Sequence, residues 1–246
     1  MKLALKVMTI FVLSFSIFFP IHAQSINEIP MYGEKPKTSK LLKVDQEFIK
    51  KAIEAAGSRE KAAKIAITKG WECIHKNDSK SAIKRFNQAW LLTPNDGRVY
   101  WGFGAAMGQQ GGLDESVKFF DKATALLPNN SRLLCDFGLI CIWKGNAVDK
   151  SSGEADIYYS KAISFFKEAG ILEPKNERIY SNWAIALYYK KDYKGAWEKV
   201  EQAESLGGKT IAKELIDNLS KKMKRPLQKK YQVNPADLYV SADFFL

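Results

Sequence analysis

Between Leu42 and Ala56, the residues Val44, Phe48, Ile49, Ala52 and Ile53 recur at helical spacing, which predicts a helix that ends at Gly57. Ser58 then stands where the cap of a second helix is needed. Beyond it the pattern acquires a longer period. Gly70, Gly104 and Gly138 are spaced 34 residues apart, as are Phe86 and Phe120, Ala89 and Ala123, and Pro94 and Pro128. Each proline follows an apolar helical stretch that it cannot continue. The period predicts paired helices, in which small residues let two backbones approach and a large apolar residue interlocks above them. Residues 210–224 predict one more helix, with Ile211, Leu215, Ile216 and Leu219 along one face.

In register and residue type this pattern resembles the tetratricopeptide repeat. Repeat one, near 63–96, carries Gly70, Ala82, Phe86, Ala89 and Pro94, with Lys69 at a site that is normally apolar. Repeat two, near 97–130, has Tyr100, Phe103, Gly104, Met107, Ser116, Phe120, Ala123 and Pro128 in the same places. Repeat three begins near Ser131 with Leu134, Phe137, Gly138 and Cys141, then resumes twelve residues late at Ala162, Phe166, Ala169 and Pro174. Repeat four, near 177–208, carries Tyr180, Trp183, Ala184, Leu187, Ala196, Val200 and Ala203, with Gly207-Gly208 in place of the proline. The resemblance implies an all-α, right-handed superhelix of about four helix–turn–helix repeats, with an extra N-terminal helix and a C-terminal capping helix. One such unit cannot bury its apolar face alone, so neighbours must stack.

The chain accordingly divides into a signal peptide (1–23), a leader and extra helix (24–57), the repeat domain (58–225) and a tail (226–246). The leader, with Pro30, Gly33 and Pro36, reads as extended and weakly ordered. The insertion in repeat three, at about 144–155, reads as a polar loop from Lys144 to Lys150. A helix start follows it, with Ser151 and Glu154 at capping-box spacing.

The resemblance also says which side chains look into a concave groove, since the first helix of each repeat lines it. The second position of every repeat is basic: Lys64, Arg98, Arg132 and Arg178. Between these cations fall Trp71, Trp101, Trp143, Tyr188 and Tyr189. These nine residues are the candidate partner-binding site. Aromatics supply apolar area and arginines anchor carboxylates, so a protein or peptide partner with acidic groups is the expected ligand. The lysine–asparagine clamp by which some members of the family hold chaperone C-termini is missing: Ile67, Trp71 and Gly102 stand at three of its places.

Composition changes the picture in two ways. Lys2 and Lys6 precede a run from Val7 to Phe19 that is apolar apart from Thr9, Ser14 and Ser16, and Ala23 is the small residue before a cut at Gln24. As a helix that run spans about 20 Å, short of the roughly 30 Å of bilayer hydrocarbon. Export to the periplasm or outside is therefore expected, with an N-terminal membrane anchor as the alternative. Second, the positive excess gathers at the C-terminal end. Lys221, Lys222, Lys224, Arg225, Lys229 and Lys230 have no acid among them, so anionic lipid or polymer is an alternative partner. Export disfavours nucleic acid. Cys73, Cys135 and Cys141 lack metal-like spacing, and His75 is the one histidine beyond the signal. No glycine-rich phosphate loop occurs, so the chain reads as a non-enzyme without a cofactor.

Overall fold

The computed structural model describes residues 25–226. The expected signal peptide and most of the tail lie outside the described residues. Ten α-helices follow one another: α1 (Ser39–Ala56), α2 (Arg59–His75), α3 (Ser79–Leu92), α4 (Gly97–Gln109), α5 (Leu113–Leu126), α6 (Ser131–Ala147), α7 (Glu154–Leu172), α8 (Glu177–Tyr189), α9 (Tyr193–Ser205) and α10 (Lys213–Lys222). Side-chain caps start most of them, including Ser58 for α2, Asp96 for α4, Asn130 for α6 and Asn176 for α8.

The pairs α2–α3, α4–α5, α6–α7 and α8–α9 are the four helical hairpins. First helices also touch one another one hairpin along, α2 with α4, α4 with α6 and α6 with α8, and so form a continuous inner row. The interlock predicted from the glycines is present. A Cβ on Gly70 would come within 2.5 Å of Phe86, one on Gly104 within 2.5 Å of Phe120 and one on Gly138 within 2.6 Å of Phe166. A Cβ on Gly102 would overlap Phe86 from the following hairpin, so that ring is held between two glycines. In the fourth hairpin Ala184 replaces the glycine and the smaller Val200 replaces the phenylalanine, both fully buried. The hairpin turns share one left-handed residue, Asn77, Gly111 and Lys191, at φ 58°, 79° and 65°. Between hairpins, Tyr100 and Tyr180 donate to the carbonyls of Pro94 and Pro174 at 2.6 and 3.0 Å.

The insertion departs from expectation in part: α7 starts at Glu154, at the predicted helix start, but α6 runs on through Ala147. The helix α6 has 17 residues against 13 in α4, α7 has 19 against 14 in α5, and the linker 148–153 has six residues against three at 110–112. The twelve extra residues thus mostly lengthen helices, and Lys144 sits inside α6. A short 3-10 turn, Lys150–Ser152, fills the linker, and its cap is Asp149, which accepts from the Ser151 amide. Ser151 does not cap α7; left-handed Gly153 stands at that position, and the Glu154 amide donates to the Ser152 hydroxyl. The added turn repeats the small–large rule, for a Cβ on Gly145 would lie 2.6 Å from Tyr159.

The leader also departs. Residues 26–34 form two 3-10 turns instead of the extended, weakly ordered segment expected, with Met31, Tyr32, Gly33 and Glu34 all at positive φ. The cause is Asn87 on α3, which is 1% exposed. Its Oδ1 accepts from the Met31 amide at 2.7 Å, and its Nδ2 donates to the carbonyls of Asn27 (3.0 Å) and Ile29 (2.9 Å). Met31 enters the main core and Tyr32 lies against Trp90.

Candidate functional site

Four of the nine candidate residues converge. Trp71 of α2, Trp101 of α4, Arg132 of α6 and Arg178 of α8 line one recess of about 570 Å³ on the inner row, together with His75 and Asp136. Each comes from a different first helix, so the recess exists only because the hairpins stack in phase. Trp71 and Trp101 meet edge to face with ring centroids 5.0 Å apart, and Trp71 also meets Phe86 at 5.8 Å. These contacts fix the indoles before any partner arrives, which lowers the ordering cost of binding.

The organising residue is Asp136, which the sequence reading passed over. Its carboxylate accepts from Trp101 Nε1 at 3.1 Å and pairs with Arg178 at 3.5 Å. Burial pushes its pKa above the ordinary carboxylate value; the Arg178 charge, the Trp101 hydrogen bond and the Arg132 charge act the other way. A signal was present: Asp136 is the one acid in the 17 residues of α6, among leucines, cysteines and isoleucines. Arg132 remains exposed and makes no ion pair among the described residues. The recess therefore holds two guanidinium groups against one half-buried carboxylate, and retains cationic character for a carboxylate ligand.

The other five candidates lie elsewhere. Arg98 is held by Asp96, the cap of its own helix, at 2.5 Å, and does not line the recess. Lys64 is exposed on α2 with no ion pair among the described residues. Trp143 is 48% exposed near the end of the lengthened α6. Tyr188 and Tyr189 meet edge to face at 5.5 Å, and Tyr189 stacks on Tyr159 of α7 at 5.5 Å. That tyrosine group belongs to the insertion end of the array. Trp197 is buried, as its second-helix position suggests, and its Nε1 donates to the Met223 carbonyl.

Nothing in the recess has the make-up of a nucleophilic centre. Cys135 is buried, accepts from Asn182 Nδ2 at 3.4 Å and has its thiol pKa raised by burial. Burial pushes Cys141 up to about 12. At neutral pH both are thiols, not thiolates. The three cysteines form no disulfide, and no cluster of potential metal ligands occurs among the described residues. No helix among the described residues is long and apolar enough to cross a membrane. At the C-terminal end, Arg225 is bound to Glu201 and Glu204 and lies over Trp197, which leaves Lys221, Lys222 and Lys224 exposed.

No family model matches the sequence, and no curated protein is significantly similar to it. Solved structures do match. Pseudomonas aeruginosa PilF is 19% identical with a TM-score of 0.56, over 66% of this chain and 70% of that one. TTC0263, a thermophilic TPR protein of Thermus thermophilus, is 15% identical with a TM-score of 0.54, over 65% of this chain and 80% of that one. At such identities the likeness establishes the fold, a tetratricopeptide-repeat array.

Proposed function

We propose that this tetratricopeptide-repeat array is a non-catalytic scaffold that holds a segment of a protein partner in its inner groove. The observation that carries the reading is the convergence of Trp71, Trp101, Arg132 and Arg178, from four successive first helices, on one recess. Pre-positioned indoles and guanidinium groups are the side chains that contribute most at protein interfaces. Arg132 and Arg178 suit an acidic side chain in that segment, and the Trp71–Trp101 pair suits an apolar or aromatic one beside it.

The apolar run from Val7 to Phe19 and the small Ala23 support an exported protein of the cell envelope. Sequencing the amino terminus of the protein isolated from envelope fractions tests this. A start at Gln24 agrees, and a retained Met1 in the cytosolic fraction does not. For the groove, the decisive comparison is affinity capture from envelope extract by the parent chain and by Trp101→Ala/Arg132→Ala. Partners bound by the parent should be missing from the variant while its helicity and melting stay unchanged; equal recovery rejects the groove.

A further inference from the structure

Helix α1 differs from the other nine in burying no residue over its 18 positions. Its second half rests on the first hairpin through Phe48, Ile49, Ala52 and Ile53. Its first half leaves Leu41, Leu42 and Val44 exposed to 43, 49 and 56%. A crevice of about 440 Å³ opens beneath Leu41 and Val44, walled by Tyr32 of the leader and by Arg85 and Leu91 of α3. Three acids of α1 are already engaged, Asp45 by Lys37, Glu47 by Lys51 at 2.7 Å and Glu54 by Lys50 at 4.0 Å, and Glu34 is exposed beside Lys35. Lys35, Lys40 and Lys43 make no ion pair among the described residues and stay exposed, and Arg85 bonds only the uncharged Gln88.

We infer that the first half of α1 docks on an anionic phospholipid surface, Leu41, Leu42 and Val44 entering the acyl boundary while Lys35, Lys40 and Lys43 lie among the phosphates. At about 100° per residue, Leu41, Leu42 and Val44 share one broad side of α1 with Lys40 at its margin, the arrangement of a helix that lies in a membrane interface. The charge pattern selects this occupant. A second copy laid on the same face would bring unpaired lysines against unpaired lysines, whereas anionic headgroups neutralise them. This surface is separate from the inner recess, so the scaffold could hold its partner while resting on a bilayer.

The test uses the chain beginning at Gln24, which keeps every described residue and therefore every contact of the fold. Vesicles of phosphatidylglycerol with phosphatidylcholine, and of phosphatidylcholine alone, are sedimented with the protein at about 0.1 and 0.5 M salt, where screening lengths differ more than twofold. The parent should bind the anionic vesicles, more weakly at high salt, and ignore the zwitterionic ones. Leu41→Ser/Leu42→Ser/Val44→Ser should lower binding about tenfold or more, since each of these chains contributes on the scale of a buried aliphatic group. Lys40→Glu/Lys43→Glu should remove most of the salt dependence. These positions are exposed, and unchanged melting confirms that the fold is intact. Three results overturn the inference. One is parental binding by the serine variant. Another is loss of binding only on Lys221→Glu/Lys222→Glu/Lys224→Glu, which gives lipid contact to the C-terminal lysines. The third is a dimer in sedimentation equilibrium that the serine variant dissolves.

Discussion

The repeat array and the leader both bury apolar side chains against α3, yet they are held by opposite means. In the array, Phe86, Phe120 and Phe166 each fill the space that a glycine leaves open, and the same contact recurs from hairpin to hairpin. In the leader, a single buried amide, Asn87, bonds three main-chain groups and holds four successive residues in the left-handed region. Non-glycine residues there cost on the order of 1–2 kcal/mol each. The array's stability is shared among equivalent contacts; the leader's main-chain hydrogen bonds to α3 all pass through one side chain, beside the packing of Met31 and Tyr32. That difference fixes where each should fail.

The largest effect is expected from Phe86→Ala, which empties the site between Gly70 and Gly102. Thermal or urea melting should show a loss of about 3–5 kcal/mol, as for other buried phenylalanines. Gly102→Ala should cost about 1–3 kcal/mol by overpacking the same ring, and Phe86→Leu in the same chain should recover part of it. Recovery in a double-mutant cycle sharpens the account, and simple additivity breaks it. Asn87→Ala should cost roughly 1–3 kcal/mol, because it leaves the Met31 amide and two carbonyls without their partner. Its distinctive sign is local: proteolysis should cut before Ser39 while α2 to α9 keep their cooperative melt.

Asp136→Asn probes electrostatics. A carboxyl whose folded pKa is raised binds more protons folded than unfolded, so stability rises as pH falls from above its raised value towards the ordinary carboxylate range. The asparagine chain should lack that acid-side gain and keep the acceptor for Trp101 Nε1, which pH-dependent melting of both chains checks. The smallest change belongs to Arg98→Ala. Its exposed pair with Asp96 is worth at most about 1 kcal/mol, and partner capture should be unaffected.

What repeats could be read from the sequence, because a 34-residue period shows the same constraint several times. The Gly–Phe interlocks and the prolines belong to that class, and the closing helix α10 was legible from its apolar face instead. Asn87 and Asp136 fall outside it: each occurs once, and although Asp136 stands out as the one acid of α6, what either side chain holds depends on partners 56 to 60 and 35 residues away. The same limit explains why the leader reads as extended. The insertion misled differently. The polar residues from Lys144 to Lys150 read as a loop, but Gly145 packs against Tyr159 as the repeat's glycines do against their rings, and α6 runs on to Ala147. Within the candidate site, the resemblance to the repeat put Trp71, Trp101, Arg132 and Arg178 on first helices, and these four line one recess, whereas Arg98 pairs with Asp96, a neighbour only two residues away.

The recess is the centre of the account, and fluorescence anisotropy on an arrayed set of labelled dodecapeptides tests it most directly. Peptides joining an acidic residue to an apolar or aromatic one should bind the parent chain and lose tenfold or more in affinity, about 1.4 kcal/mol, against Trp101→Ala/Arg132→Ala. Binding that favours basic peptides, or that survives in the double variant, would contradict it.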